Sequence, residues 1–171
     1  MIELYDRYSQ ESRDLHESLV ATGLSQLGVV IDADGFLPDG LVSPFTYYLG
    51  YEKGKPLYFN QVPVPAFWEI SGNNQSARIE DRTEERAVIH YADGMQARLV
   101  KQVDWKDLEG RVRQVDHYNR FGACFATTTY SADSEPMMTV YQDVNGQQVL
   151  LENHVTGDIL LTLTSQSMRY F

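Results

Sequence analysis

From about Ala87 onward the chain alternates short β-rich runs with turn signals and carries little helical periodicity. Candidate strands follow one another at residues 86–91, 96–105, 111–121, 123–130, 137–142, 147–154 and 158–163. Between them stand Asp93-Gly94, Glu109-Gly110, Asn145-Gly146 and Gly157-Asp158. Such steps favour tight primed hairpin turns, because glycine reaches positive φ freely and Asn or Asp tolerates it. This succession predicts one long, twisted antiparallel meander. A sheet of that kind is a surface, and surfaces mostly bind.

The front of the chain is different. Residues 3–22 read as a helix with Leu4, Tyr8, Leu15 and Leu19 on one face; Ser9 or Ser12 can cap a restart and Gly23 can stop it. Val29-Val30-Ile31 is a short buried-type strand, followed by a turn at Asp32-Ala33-Asp34-Gly35. Helix, connection and all-apolar strand together resemble a piece of an α/β layer. Residues 42–51 and 55–61 are expected to form a hairpin around Glu52-Lys53-Gly54, which Pro63 and Pro65 then break. Residues 67–71 and 77–81 pair across Gly72-Asn73-Asn74-Gln75. The predicted class is α+β, mainly β: residues 1–34 form a helix and strand, and residues 35–171 an extended antiparallel sheet domain. The apolar end Met168-Arg169-Tyr170-Phe171 has no polar tail, so the chain is expected to be part of something longer.

Composition removes several functions. A net charge of −10 and a pI near 4.7 leave no basic stripe for a phosphate backbone, which argues against nucleic acid. The single cysteine, Cys124, lies in an apolar run and reads as an inert buried thiol in a reducing compartment. No signal-peptide pattern opens the chain and no apolar run nears the roughly 20 residues of a membrane span, so the cytoplasm is the expected location. Asp32 and Asp34 match an Asp-x-Asp pattern that can hold a hard cation, but Asp34-Gly35 is also a plain turn. His16, His90, His117 and His154 lack ligand spacing, and no phosphate loop or nucleophile elbow is present. No catalytic residue, metal ligand or cofactor is therefore expected. Aromatic residues, in contrast, are spread over nearly every strand, and a sheet covered by one small helix should leave some of them for a partner.

Several stretches are distinctive together: Gln10-Glu11-Ser12-Arg13-Asp14-Leu15-His16, Asp34-Gly35-Phe36-Leu37-Pro38, Pro56-Leu57-Tyr58-Phe59-Asn60-Gln61, Phe67-Trp68-Glu69-Ile70, Asp116-His117-Tyr118-Asn119-Arg120-Phe121-Gly122 and Glu152-Asn153-His154-Val155-Thr156-Gly157-Asp158. In this order the chain resembles the N-terminal part of the non-catalytic partner subunit, or glycosylation chaperone, of the accessory Sec glycosyltransferase. The resemblance implies a fragment of a GT-B-like protein whose inserted sheet domain associates with a catalytic glycosyltransferase subunit. That enzyme moves N-acetylglucosamine from a UDP-sugar to Ser and Thr of serine-rich repeat adhesins in the cytoplasm, before export. The resemblance further implies help in holding the Ser/Thr-rich acceptor and a peripheral association with the membrane. The expected contact residues are Trp105, Tyr118 and Phe121, with Arg98, Lys101 and Arg113 at the rim. Two other readings stand beside it: an add-on domain of an active glycosyltransferase, for example of teichoic-acid type, and a carbohydrate-binding module displaying coplanar exposed rings on one sheet face.

Overall fold

Apolar residues alternate with others in Ile2–Tyr5 (β1), and this strand pairs in parallel with Leu27–Val30 (β2). Leu41–Val42 (β3) joins β2, also in parallel, to complete a three-stranded sheet. The computed structural model describes residues 2–24, 27–92, 97–164 and 167–170. One helix, Gln10–Ala21 (α1), packs on the face that buries Tyr5, Val30 and Leu41. Its start is local chemistry: the Ser9 hydroxyl accepts from the Ser12 amide. Its end is a Schellman motif, in which Gly23 (φ +71°) donates to Val20 and Leu24 donates to Leu19.

Two expectations for the front of the chain are corrected. The helix does not begin at residue 3, because Ile2–Tyr5 is taken up as a strand once β2 is available beside it. Its inner face is also shifted: His16 is buried, whereas Leu15 is exposed. The phase is set by Glu3, which points inward from β1, accepts from the Tyr5 hydroxyl and lies 2.8 Å from His16 Nδ1. The hairpin expected at 42–51 and 55–61 is absent. Ser43-Pro44 starts a helical turn, Pro44–Tyr47 (α2), with the Ser43 hydroxyl accepting from Phe45 N at 3.3 Å. Residues 59–61 form a single 3₁₀ turn.

The remainder is a ten-stranded antiparallel sheet in strict sequence order. Its strands are Glu69–Gly72 (β4), Ser76–Asp81 (β5), Glu84–Tyr91 (β6), Val100–Lys106 (β7), Val112–Tyr118 (β8), Cys124–Tyr130 (β9), Pro136–Gln142 (β10), Gln148–Asn153 (β11), Asp158–Thr164 (β12) and Ser167–Tyr170 (β13). The mainly-β, α+β class and the long meander are thus as the sequence predicted. The turns at Glu109-Gly110 and Asn145-Gly146 are not the primed type. At Asp107–Arg111 the Asp107 amide donates to the Arg111 carbonyl, the Gly110 amide donates to the Asp107 carbonyl, and Asp107 Oδ1 accepts from Glu109 and Arg111. Only Gly110, not Glu109, has positive φ, as in a three-residue loop closed by a glycine bulge. The same bonds recur at Asn119–Ala123, Ser131–Glu135 and Asp143–Gln147. The turn expected at Asp93-Gly94 lies outside the described residues.

The sheet is covered diagonally. On one face Ala77, Ile79, Ala87, Ile89 and Val103 form a core under the segment 57–68, which contributes Val62, Phe59 and Trp68. On the other face Ala126, Tyr141, Leu150 and Leu161 pack under Leu49, Phe45 and Tyr51. The register proves the faces opposite, since Val103 aligns with Asp116 and Thr127, while its neighbour Gln102 aligns with His117 and Ala126. A bulge in β9 makes the change possible: His117 and Tyr118 oppose Ala126 and Cys124, leaving Phe125 as the extra residue. Cys124 and Tyr118 therefore serve the first core, and Phe125 with Ala126 the second.

Hairpins alternate between two ends of the sheet. The proximal end, with turns 73–75, 119–123 and 143–147, meets the α/β layer and residues 33–61. There Arg120 N donates to the Gly35 carbonyl at 2.9 Å, Val144 N to the Leu49 carbonyl, and the Tyr51 hydroxyl lies 3.0 Å from the Asp143 carbonyl. The distal end carries turns 82–83, 107–111, 131–135 and 153–157 and the start of β4. Among the described residues, no helix is long and apolar enough to cross a membrane.

Candidate binding surfaces

The six residues expected to meet a partner do not share one patch. Trp105 lies on β7 near the distal end, half-buried against the first core, with its indole N–H donating to Asp116 at 2.7 Å. Arg113 is its distal neighbour on β8, ion-paired with Asp107 at 3.3 Å and donating to the Ser131 carbonyl. Lys101, Arg98 and Phe121 sit at the proximal end. Lys101 pairs with Asp34 at 3.1 Å, and Arg98 donates to Asn74 at 2.7 Å with its guanidinium 5.8 Å from the Phe59 ring. Tyr118 is 7% exposed and packs in the first core. Its register opposite Cys124, across the bulge, turns it inward.

Phe121 instead helps to line a cleft of about 350 Å³ where the α/β layer meets the sheet. Asp34, Asp39 and Glu52 supply negative charge there and Arg120 positive charge, with Tyr47 at the mouth. The joint beneath it is tight. A Cβ on Gly122 would lie 2.3 Å from the Lys55 carbonyl oxygen, and one on Gly35 2.6 Å from that of Tyr118. Asp34 is occupied structurally, since one oxygen accepts from Phe36 N at 2.8 Å and the other holds Lys101. Asp32 faces a different cleft, so the Asp-x-Asp pair does not converge on one ion. Among the described residues no group of three His, Cys, Asp or Glu side chains is placed to hold a metal.

The second cleft, about 310 Å³, lies on the sheet face that carries the second core. Its floor is a hydrogen-bonded row across three strands, β8 to β10, that ends in the turn after β11: His117 Nε2 to Thr128 Oγ1 at 3.0 Å, Thr128 to Thr139 at 2.8 Å, and Thr139 to His154 Nε2 at 2.8 Å. Three bonds need three protons and the two threonines supply two, so one histidine must donate through Nε2. The Tyr141 hydroxyl donates to Glu152 at 3.2 Å above this row. Sequence reasoning missed the row, although the run Ala126-Thr127-Thr128-Thr129 could have signalled a polar stripe. Burial pushes the Cys124 thiol up to about 11, which disfavours the thiolate.

Two histidines on this face respond to pH in opposite directions. The hydrogen bond to Asp104, at 2.8 Å, holds His90 above its usual range. Burial holds His117 below it, despite Asp104, Asp116 and Asp32 nearby. Asp104 itself is lowered, because the hydrogen bonds from His90 and Gln102 overcome its desolvation. The His90 contribution to stability is thus complete below about pH 6.5 and lost as pH rises through its raised folded value; Asp104 contributes above about pH 4, and its contribution fades as pH falls through its lowered one. His117 has the reverse effect for a base, since protonation of the unfolded chain below about pH 6.5 costs stability. Imidazole proton titrations by NMR should place His90 above 6.5 and His117 below. Coincident titrations would contradict this geometry.

Comparison with known proteins adds the following. A family model described as the GtfB middle domain matches residues 68–171, and one described as the GtfB N-terminal domain matches residues 2–48. The chain is 92% identical over 171 residues to a protein of Streptococcus pneumoniae serotype 4 named UDP-N-acetylglucosamine–peptide N-acetylglucosaminyltransferase stabilizing protein GtfB, covering 100% of this chain and 38% of that protein. It is 54% identical over 173 residues to the protein of the same name in Streptococcus gordonii, again covering 100% of this chain and 38% of the relative. The chain therefore spans little more than a third of these relatives. Among solved structures, a chain of a GtfA/B complex bound to UDP and GlcNAc superposes with a TM-score of 0.94 at 54% identity, over 100% of this chain and 39% of that one. The pneumococcal O-GlcNAc transferase GtfA with UDP and GlcNAc shares the fold, with a TM-score of 0.67 at 11% identity over 99% of this chain and 38% of that one.

Proposed function

Because the chain belongs to the GtfB family, we propose that it is the front portion of a non-catalytic subunit that stabilises a peptide N-acetylglucosaminyltransferase. In this reading the ten-stranded sheet docks the transferase, and the junction cleft helps to hold the Ser/Thr-rich acceptor, a serine-rich repeat adhesin modified before accessory Sec export. The subunit acts in the cytoplasm, with peripheral attachment to the inner face of the membrane. In this reading the chain divides at residues 34/35, with Leu41–Val42 pairing back onto β2 from beyond the division. Trp105 and Arg113 remain contact candidates at the distal end, and Phe121, Arg98 and Lys101 line or flank the proximal one.

What carries the reading is the near-complete superposition on a chain of a transferase complex at 54% identity. It is supported by the engagement of Asp34 in a turn and an ion pair, which gives that carboxylate a structural role. A carbohydrate-binding module fits less well, because the exposed rings among the described residues, Tyr47, Tyr48, Tyr58 and Phe67, lie outside the strands. Co-expression of the full-length protein with the transferase encoded beside it tests the proposal. The expected result is a stable complex on size exclusion, a higher yield of soluble transferase, and no UDP release from UDP-N-acetylglucosamine by the subunit alone. A transferase equally soluble and active without it, or UDP release abolished by Asp34→Ala, would overturn the reading.

A further inference from the structure

Resting on the reading that the junction cleft holds a Ser/Thr-rich acceptor, we propose that the neighbouring cleft, over the histidine–threonine row, is a pyranose subsite. It takes the N-acetylglucosamine of an acceptor residue that has already been modified. The two clefts adjoin. Phe125 lines both, while Asp34 lines the first and Asp32, two residues earlier, lines the second. A peptide seated in the first therefore carries a side-chain sugar toward the second. The second cleft also lies where an α/β layer ordinarily opens to a ligand, since Asp32 stands two residues beyond the carboxyl end of β2. The register places its floor on one face of the sheet, with Thr128 opposite Thr139 and Thr139 opposite Glu152.

The hydrogen-bonding protons of the row decide what the cleft offers. The Glu152 carboxylate, 3.7 Å from His154 Nδ1, favours a proton on that nitrogen. His154 Nε2 then accepts from Thr139, Thr139 accepts from Thr128, and Thr128 accepts from His117 Nε2. Both threonine protons are used, and each hydroxyl keeps one free lone pair. Partly exposed Glu152 and exposed Asp32 add carboxylate oxygens above them. Cross-strand threonine pairs also tie strands together, but that role leaves the two carboxylates at the edge unexplained. The lining is thus rich in acceptors, and among the described residues it includes no lysine or arginine. A phosphate or nucleotide finds no counter-charge there, so the ligand must bring donors. An ammonium brings them too, but the floor is uncharged and Glu152 already accepts from Tyr141, which leaves its desolvation poorly offset. A pyranose suits both walls. Its hydroxyls and amide N–H face the acceptors, and its C–H face meets Ala126, Tyr130 and Pro136. About 310 Å³ holds one such ring rather than an extended chain.

The test titrates the full-length protein, without its transferase, with a synthetic Ser/Thr-rich peptide bearing one N-acetylglucosamine and with the same peptide unmodified. The glycopeptide should bind at least about tenfold more tightly, the usual effect of hydrogen bonds to charged groups. Its addition should shift the His117 and His154 imidazole resonances in NMR spectra. Asp32→Asn and Glu152→Gln keep the side-chain shapes; each should melt with the wild type, cancel most of the sugar's advantage and leave the affinity for the bare peptide unchanged. Equal affinity for the two peptides, or an advantage that survives both variants, would overturn the subsite while leaving the acceptor reading intact. Failure of either peptide to bind the wild type at all would overturn both. Displacement of the glycopeptide by UDP or by putrescine would assign the cleft to an anion or a cation, against the proposal. Should a variant melt early, the wild-type resonances decide, and imidazoles unmoved by the glycopeptide would overturn it.

Discussion

Gly122→Val should lower the stability of the chain by about 3–5 kcal/mol, read as a melting temperature roughly 10 °C below wild type. Two costs combine. Gly122 has φ +84°, a region closed to β-branched residues, and a Cβ there would lie 2.3 Å from the Lys55 carbonyl oxygen. The obstacle is backbone, so it cannot swing aside. Gly110→Val is the matched control, because Gly110 has φ +79° with nothing within 4 Å of its missing Cβ. It should incur only the backbone part, about 1–2 kcal/mol. The difference between the two variants measures the tightness of the joint between the α/β layer and the sheet. Equal losses would mean that the joint is slack and that the junction cleft is not a fixed shape.

Tyr118→Ala should cost about 3–5 kcal/mol, the usual result of emptying a buried aromatic site. The ring is 7% exposed, packs in the first core with Val62 and Val103, and its hydroxyl is held above its normal range mainly by burial. Thermal or denaturant unfolding followed by circular dichroism measures the loss, and Tyr118→Phe should recover most of it. If Tyr118→Ala melted with the wild type and only lost the transferase, the ring would be an interface residue after all. Trp105→Ala gives the contrast, since that side chain is half-buried at the margin of the same core and its indole is tied to Asp116.

Sequence alone determined much of this protein. Alternation of period two and a glycine or Asx residue at each turn are local signals, and they located strands β5 to β12 to within a few residues, because neighbouring strands in a meander need only each other. The Asx-x-x-Gly spacing at Asp107, Asn119 and Asp143 was equally legible and would have given the turn type, had the side-chain bonds to the backbone been weighed beside the glycine. Tertiary structure decided the rest. Ile2–Tyr5 became a strand only because β2 lies beside it, and His16 replaced Leu15 on the inner face because Glu3 waits there. Which rings were core and which were free depended on a one-residue bulge at Phe125 and on coverage of opposite faces by two different segments. Neither leaves a local trace: pleat alternation fixes which residues share a face, but only packing partners far along the chain decide whether that face is buried.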